Sequence, residues 1–391
     1  MLRRYWQPAA LSEDIPPGGP PLPVRLFGED LVLFRDEQDR VGLIDLHCSH
    51  RRTDLSYGRL EDGGLRCIYH GWLYDVNGRC LETPGEPDGS HLKDYVRHRA
   101  YPCRDAGGVI MTYMGTGEPP LLPNYGIFSA PPDHRVTGKF ILECNYLQGL
   151  EGNMDSVHVQ FLHRSVRTKP RTPPPNNYWG PTRVEETEFG VWSYYERDDM
   201  SAGPDLVFPS LCLTGGTDFQ GRGDGYVVNW RVPIDDTHHY LFKLLFKQSA
   251  PLPEKVREAA IAGNRPGAGP ARTRANRYLQ DREEQRTSTF TGLGFVFPDN
   301  DKAANETQGP IYDRTKELLG AEDMSIVAGR KALLGAIQAV QEGRDPPGVI
   351  RDPAVNRVDP LFLKKNVPHS DGDMEALFAE MEGRWVAASA R

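Results

Sequence analysis

The chain has 391 residues, enough for one large domain or two ordinary ones, of which 38% are hydrophobic and 26% charged. Its 54 acidic residues outnumber 46 basic ones, and the net charge of −8 argues against nucleic acid or an anionic membrane as a partner. No apolar stretch follows the amino-terminal arginines, so we expect neither a signal peptide nor a membrane anchor.

The first part of the chain has the pattern of short β-strands. Residues 23–35 alternate between apolar and polar and are interrupted by a turn at 28–30, and residues 41–46 and 109–113 are further apolar runs. Pro119-Pro120 then marks a linker. We therefore expect an all-β domain over residues 1–120.

Two short motifs in this domain each offer one thiolate and one imidazole. Cys48 and His50 form a C-x-H turn, and Cys67 and His70 form a C-x-x-H turn, with sixteen residues between the two turns. Two cysteines on one iron and two histidines on the other are the ligand set of a Rieske [2Fe–2S] centre. Because neutral imidazoles replace two thiolates, such a cluster has a raised reduction potential and relays single electrons.

A structural zinc ion is the alternative for these four side chains. Zinc fingers, however, usually pair cysteine with cysteine and histidine with histidine, whereas each turn here carries one of each. Residues 74–79 also have the pattern of a strand that enters a hairpin through Asn77-Gly78. The sequence therefore favours the Rieske centre.

The other cysteines are scattered, which fits buried free thiols in a reducing cytoplasm. They are Cys80, Cys103, Cys144 and Cys212.

The remainder, residues 121–391, has a mixed pattern that predicts an α+β domain with an antiparallel sheet flanked by helices. Strand-like segments are 140–144, 184–197, 226–232 and 239–246; helical ones are 148–163, 321–342 and the last twenty residues; loops are expected at 173–175 and 263–270, and irregular chain at 346–360. The helix at 321–342 is expected to place the following residues on one side: Ile326, Ala328, Leu333, Leu334 and Ile337.

A second possible metal site lies in the segment 155–163, which reads D-x-x-H-x-x-x-x-H. Two histidines and one carboxylate form the facial triad of non-haem Fe(II) oxygenases. On an ideal helix Asp155 and His158 share a face, whereas His158 and His163 are about 140° apart. We therefore predict an irregularity between 159 and 162 that lets both histidines reach one metal.

Together these motifs resemble the α subunits of Rieske non-haem iron ring-hydroxylating oxygenases, within the phthalate 4,5-dioxygenase-like branch that includes aryl-ether O-demethylases. The resemblance is carried by the Rieske turns and by the segments 5–8, 28–30, 147–152, 281–287, 309–315 and 319–320. It departs from the family at Ser49 and Arg52, where proline and glycine are usual, and at Asn300 and Gln308, where glutamine and methionine are common.

The resemblance implies a third iron ligand shortly before the segment 309–315. Asp301 is our choice, and Asp299 is a competitor that the spacing does not separate from it. Glu306 and Asp313 are less suited, and we expect them to cap a helix or to pair with Arg314.

Asp155 has a different role by the same resemblance. It is similar to the family's bridging aspartate, which connects the proximal iron histidine, here His158, with a cluster histidine, here His70, of the adjacent subunit. The resemblance thus implies a head-to-tail homotrimer, a heterologous contact that closes into a ring. The alternative role for Asp155 is that of a residue at a helix N-terminus.

The resemblance finally implies a terminal oxygenase that takes electrons from an NAD(P)H-linked reductase, with or without a separate ferredoxin, and uses O₂ to hydroxylate or cis-dihydroxylate an aromatic acid. O-demethylation of a methoxylated aromatic is the alternative at the same iron, and a Rieske electron carrier or a zinc-stabilised structural protein is the alternative of another class. Four arginines near the cluster could form a basic docking surface or a solvated charged face: Arg51, Arg52, Arg59 and Arg66.

Overall fold

The structure, a computed structural model, describes residues 1–165, 177–196, 199–215, 225–247, 250–258, 272–356 and 365–368. The loops expected at 173–175 and 263–270, and the helix expected in the last twenty residues, lie outside these ranges. The chain divides into an N-terminal unit, residues 2–120 with 233–235, and a C-terminal unit that contains 121–232 and the residues from 236 onward.

The N-terminal unit consists of three small antiparallel sheets. Its strands are β1 (Trp6–Leu11), β2 (Leu22–Leu26), β3 (Glu29–Arg35), β4 (Val41–Asp45), β5 (Arg59–Glu61), β6 (Gly64–Arg66), β7 (Leu73–Tyr74), β8 (Cys80–Glu82), β9 (Ala100–Tyr101), β10 (Cys103–Ala106) and β11 (Val109–Tyr113). The sheet orders are β1-β11-β10, β2-β3-β4-β9 and β5-β6-β7-β8. One short helix, α1 (Leu92–Tyr95), and 3₁₀ turns at Leu2–Arg4, Ser12–Asp14 and Leu55–Tyr57 complete the unit.

The two cysteines of the C-x-H and C-x-x-H turns are part of the apolar core of this unit. Cys48 and Cys67 are buried in one cluster with Phe34, Leu55 and Trp72. Burial of each large apolar side chain contributes about 1.5–3 kcal/mol, so this core fixes the positions from which both turns start.

The C-terminal unit is built on one large sheet. Its strands are β12 (Arg135–Leu142), β13 (Arg183–Thr187), β14 (Gly190–Glu196), β15 (Asp199–Val207), β16 (Leu211–Gly215), β17 (Gly225–Pro233), β18 (His239–Lys247) and β19 (Lys365–Pro368). The order is β12-β18-β17-β16-β15-β14-β13, and β19 pairs with β15.

In its described part this unit contains the helices α2 (Gly126–Ser129), α3 (Tyr146–Met154), α4 (His158–Phe161), α5 (Arg282–Thr287), α6 (Phe297–Thr307) and α7 (Met324–Gln341), and residues 254–258 are also helical. Short 3₁₀ turns lie at Pro132–His134, Arg277–Leu279, Arg314–Lys316, Ala321–Asp323 and Pro353–Val355. The expected α+β class, an all-β first part followed by an antiparallel sheet with helices, is confirmed. No helix in the described ranges is both long and apolar enough to cross a membrane.

Most expected segments are present, but three differ in detail. The segment 184–197 contains two strands, β13 and β14, joined by a tight turn. The strand expected from residue 140 begins at Arg135, and the helix expected over 148–163 is interrupted between α3 and α4. Of the four cysteines outside the two Cys-His turns, Cys103 is partly exposed while the others are buried, and all six are free thiols.

The face predicted for α7 is wrong. Leu333 is buried, but Leu334 and Ile337 are 66% and 39% exposed. The buried face instead carries small residues, and a Cβ at Gly329 would lie 2.1 Å from Cε of Met154. Close approach to α3, rather than burial of the largest side chains, therefore sets the rotation of this helix.

Gly78 provides a test of the hairpin that follows the second Cys-His turn. Its φ of +74° is unfavourable for other residues, and a Cβ there would lie 2.0 Å from the backbone oxygen of His98. Gly28 has a similar φ of +78° but nothing within 4 Å of a Cβ. We expect Gly78→Ala to lower the free energy of unfolding by about 2–3 kcal/mol and Gly28→Ala by about 1 kcal/mol, measured by urea titration of the full chain. Equal losses of unfolding free energy in the two variants would show that the close approach to the His98 backbone oxygen does not add to the cost of a Cβ at residue 78.

Candidate functional site: two metal-binding constellations

The two Cys-His turns have the same backbone hydrogen bonds although their sequences differ. The amide of Arg52 donates to the carbonyl of Cys48, and the amide of Gly71 donates to the carbonyl of Cys67. The amide of each cysteine in turn donates to the carbonyl five residues later. Both turns thus close by the same backbone pattern, and each carries its histidine within the closed loop.

The fourth residue after each cysteine has a left-handed backbone, with φ of +60° at Arg52 and +76° at Gly71. Glycine adopts this conformation without cost, whereas another residue loses about 1–2 kcal/mol. The departure at Arg52, where glycine is usual, therefore leaves the turn geometry intact and places a small strain beside the first cysteine.

The two histidines converge. The ring centroids of His50 and His70 are 4.5 Å apart, and the ring of His50 stacks on Trp72 at 4.7 Å with an interplanar angle of 2°. The hydroxyl of Tyr74 lies 3.2 Å from Sγ of Cys48. Trp72 therefore fixes the plane of one imidazole, and Tyr74 can donate a hydrogen bond to one thiolate.

The donor set fits an iron–sulfur cluster. Burial raises the pKa of the Cys48 thiol, Tyr74 opposes this, and the neighbouring Cys67 adds to it, so the thiolates need a cation. Burial and the charges of His50 and Arg51 lower the pKa of His70, which favours the neutral imidazole that metals bind. Buried sulfurs beside converging imidazoles are the arrangement that a Rieske cluster requires.

Acidic residues neutralise most of the arginines near the cluster. Arg66 forms ion pairs with three carboxylates, at 2.6–2.8 Å: Glu61, Asp62 and Glu82. Arg59 pairs with Glu61 at 3.0 Å, and Arg52 lies 3.7 Å from Asp45. The guanidinium of Arg51 is above the ring of Tyr69. The geometry favours a mixed charged face over a basic docking surface.

The break between α3 and α4 lets both distal histidines face one point. Asp155 ends α3, and α4 is a single turn from His158 to Phe161. His163 follows in a turn and is fully buried, and the rings of His158 and His163 are 5.2 Å apart. The helix ends within the predicted stretch 159–162, but the larger interruption at 155–157 was not predicted.

Asp301 on α6 joins these histidines. Its Oδ1 lies 2.7 Å from Nε2 of His163 and 3.7 Å from Nε2 of His158. Asp299, the competitor, instead lies 3.2 Å from the guanidinium of Arg272. The sequence spacing did not distinguish these two carboxylates as ligands. The rotation of α6 does, because it directs only Asp301 towards the histidines.

Buried hydrogen bonds attach α6 to α3. The side-chain amide of Gln148 donates to the carbonyls of Asn305 and Gly309 at 3.3 and 2.9 Å and accepts from the amide of Tyr312 at 2.9 Å. Glu306, at the end of α6, is fully buried and accepts from the amide of Glu143 at 2.8 Å.

The expectation that Glu306 caps a helix or pairs with Arg314 is therefore wrong. Its second oxygen accepts from the Tyr278 hydroxyl at 2.8 Å, because this carboxylate lies inside the unit rather than at its surface. Arg314 pairs with Glu151 at 3.3 Å. Asp313, in contrast, does cap the 3₁₀ turn that follows it, accepting from the amide of Thr315.

Asp155 contacts the proximal histidine and the start of α4. Its Oδ2 is 3.5 Å from Nδ1 of His158, and its Oδ1 accepts from the amides of Val157 and His158 at 2.7 and 3.3 Å. Burial acts to raise the pKa of Asp155, but His158 and these amides outweigh it and lower that pKa. One side chain therefore both caps the start of α4 and orients the imidazole of His158.

The three donor groups of His158, His163 and Asp301 fit a single metal ion. One ligand atom from each lies within 4.8 Å of the others. Ligand atoms of one first-row metal are about 3 Å apart, so a small contraction would suffice. Two imidazoles and one carboxylate are the donor set of non-haem Fe(II), and the carboxylates of Asp155 and Asp301 both favour positive charge at His158.

Sequence reasoning missed several side chains around this triad. The ring of Phe297 stacks on His163 at 3.3 Å. The buried guanidinium of Arg231 donates to Oδ1 of Asn153 at 3.0 Å and to Nε2 of His239 at 2.9 Å. A charged residue within the apolar run 226–234 was the available signal for Arg231. Phe297 had none, because its position depends on the packing of α6.

Two family models match parts of the chain. The model of the Rieske [2Fe-2S] domain matches residues 5–101, and the model described as LigXa C-terminal domain like matches residues 222–371. Together the two matched regions include the Cys-His turns and Asp301.

Relatives of known activity match along most of the chain. The phthalate 4,5-dioxygenase oxygenase subunit of Pseudomonas putida is 37% identical over 373 residues, 89% of this chain and 84% of that protein. The 5,5'-dehydrodivanillate O-demethylase oxygenase subunit of Sphingobium sp. (strain NBRC 103272 / SYK-6) is 34% identical over 395 residues, 97% of this chain and 85% of that protein.

A solved structure shares the fold. The theobromine-bound QL mutant of NdmA from Pseudomonas putida CBB5 superimposes with a TM-score of 0.65 at 19% identity, over 87% of this chain and 92% of that one. Since the sequence similarity to two oxygenase subunits extends over both units, the chain belongs to the oxygenase subunits of the Rieske non-haem iron oxygenases, an enzyme family.

Proposed function

We propose that this protein is the terminal oxygenase of a multicomponent system that takes electrons from an NAD(P)H-linked reductase, with or without a ferredoxin, and uses O₂ to oxygenate an aromatic acid. The convergence of His158, His163 and Asp301 from distant parts of the chain carries this proposal. A Rieske electron carrier would need only the N-terminal unit, and a zinc-stabilised structural protein would need no such triad.

The roles of the residues follow from the geometry. We assign Cys48, His50, Cys67 and His70, in a domain of residues 1–120, to the cluster, and His158, His163 and Asp301, in a domain of residues 121–391, to iron. When bound, the cluster supplies single electrons and the ferrous ion supplies the site where O₂ is activated. Phe297 excludes water from one face of His163, and Asp155 holds the proximal imidazole in place.

We further propose the head-to-tail homotrimer, in which Asp155 of one subunit approaches His70 of the partner subunit. Its support is the exposure of the cluster turns: His50 is exposed, and Ile68 and Tyr69, which precede His70 in the second turn, are 57% and 55% exposed. Apolar side chains next to a redox centre are suited to a protein interface.

Two reactions are consistent with the relatives. The first is hydroxylation or cis-dihydroxylation of an aromatic acid, favoured by the match to a phthalate 4,5-dioxygenase subunit. The second is O-demethylation, favoured by the match to the dehydrodivanillate enzyme over 97% of this chain. Both substrates are carboxylates by name, so we infer that an aromatic acid is bound here.

A single-turnover assay distinguishes these reactions. Chemically reduced protein would be mixed with O₂ and either phthalate or 4-methoxybenzoate, and the products identified by mass spectrometry. Dihydroxylation adds two oxygens and two hydrogens, whereas demethylation removes CH₂ and releases formaldehyde. Absence of any oxygenated product from iron-loaded protein across a panel of aromatic acids would contradict the proposed function.

Asp301→Ala is expected to lose the mononuclear iron and to keep the cluster, because one of three iron ligands is removed while the four cluster ligands belong to the other unit. Total iron should fall from about three to about two atoms per chain with acid-labile sulfide unchanged. Asp299→Ala is the matched control, since Asp299 pairs with Arg272. Full iron in the Asp301 variant, or equal loss in both, would remove Asp301 from the ligand set.

Asp155→Asn is expected to retain both metal centres and to lose about 100-fold or more in coupled turnover. Asparagine can still accept the amide hydrogen bonds at the start of α4, so the fold should persist while the negative charge is lost. Metal content and steady-state turnover with reductase are the two measurements. Turnover at the wild-type rate would rule out the bridging role.

A further inference from the structure

Lys243 is a cation inside the C-terminal sheet that has no ion pair in the described part of the chain. It lies in the middle of β18, opposite Gly138 of β12, and is only partly exposed. Side chains alternate along a strand, so Lys243 shares a face with His239, Leu241 and Leu245. A lysine in such a row is unusual, because an ammonium group loses hydration there.

This face of the sheet is directed towards α3. His239 accepts a hydrogen bond from Arg231 at 2.9 Å, and Arg231 also contacts Asn153 at the end of α3. A Cβ at Gly149 of α3 would lie 2.7 Å from Arg231 and from His239. The strand that carries Lys243 is therefore packed beneath the helix that leads to Asp155 and His158.

The charges on this face do not balance. Burial lowers the pKa of Lys243; the carboxylate of Asp301 acts to raise it, and the guanidinium of Arg231 acts to lower it. Asp301 acts on Arg231 in the same way. One carboxylate thus lies near two cations, and that carboxylate is also the assigned iron ligand.

Arg231 cannot bind a substrate freely. Burial lowers its pKa to about 10, and it is 2% exposed with two of its nitrogens engaged by Asn153 and His239. Burial and Arg231 together lower the pKa of His239 to about 3, so this histidine is neutral and offers no counter-charge. Of these two cations, Lys243 is therefore the one that no described side chain engages.

We propose that Lys243 binds the carboxylate of the aromatic acid substrate and so determines specificity for anionic substrates. The proposal rests on the proposed function, whose substrate class it deepens. A carboxylate next to Lys243 would supply the counter-charge that the described residues lack, and its hydrogen bond to an ammonium group would be favourable in this partly dehydrated place. Arg231 is a positioning residue for the same face.

The test compares acids with their uncharged amides. Binding of phthalate and phthalamide, and of 4-methoxybenzoate and 4-methoxybenzamide, would be measured by calorimetry on the iron-loaded full chain. Lys243→Met should weaken binding of the acids by about 10- to 100-fold and leave binding of the amides nearly unchanged. Lys243→Arg should retain most of the affinity for the acids. Lys247→Met, four residues along the same strand, is the matched control and should change the affinity for neither the acids nor the amides.

Each outcome bears on the inference separately from the proposed function. Equal weakening of acid and amide in Lys243→Met, with a lowered urea midpoint, would mean that Lys243 is only structural. Wild-type protein that binds no acid more tightly than its amide would also overturn the inference. If instead the acids bind through Lys243 but yield no oxygenated product, the proposed function fails while the anion site remains.

Discussion

The carboxylate of Asp301 reaches His158 and His163 because buried hydrogen bonds hold α6 against α3. Gln148 satisfies three backbone groups around the end of α6, and Glu306 attaches the same end to Glu143, which lies between β12 and α3. Buried polar groups of this kind are costly when they lose a partner. These buried hydrogen bonds therefore position the triad, even though its two histidines lie on a single-turn helix and in the turn that follows it.

The two units differ in how far their cationic side chains are compensated by nearby carboxylates. Around the cluster, Arg66 and its neighbours are compensated by Glu61, Asp62 and Glu82, so the surface of the electron-transfer unit is mixed. In the C-terminal unit, the carboxylate of Asp301 acts to raise the pKa of both Arg231 and Lys243, although the whole chain carries a net charge of −8. An acidic protein can thus contain a locally cationic interior, which is suited to an anionic substrate.

The sequence was informative where chemistry is local. The spacing of the Cys-His turns and of Asp155, His158 and His163 is contained in short segments, and the short strands follow from alternation. It could not separate Asp299 from Asp301, because these residues point about 160° apart on a helix whose rotation is set by tertiary packing. The buried face of α7 was predicted wrongly for the same reason: small residues such as Gly329 face α3. Lys243 was not recognised because a strand pattern does not reveal which cations lack counter-charges.

The central claim is that one chain holds both a Rieske cluster and a separate mononuclear iron. Quantification of iron and acid-labile sulfide in protein reconstituted under anaerobic conditions tests it most directly. The account predicts about three iron atoms and about two sulfide ions per chain. About two iron atoms with about two sulfide ions, and no further iron taken up on addition of ferrous salt, would contradict it and leave only an electron carrier.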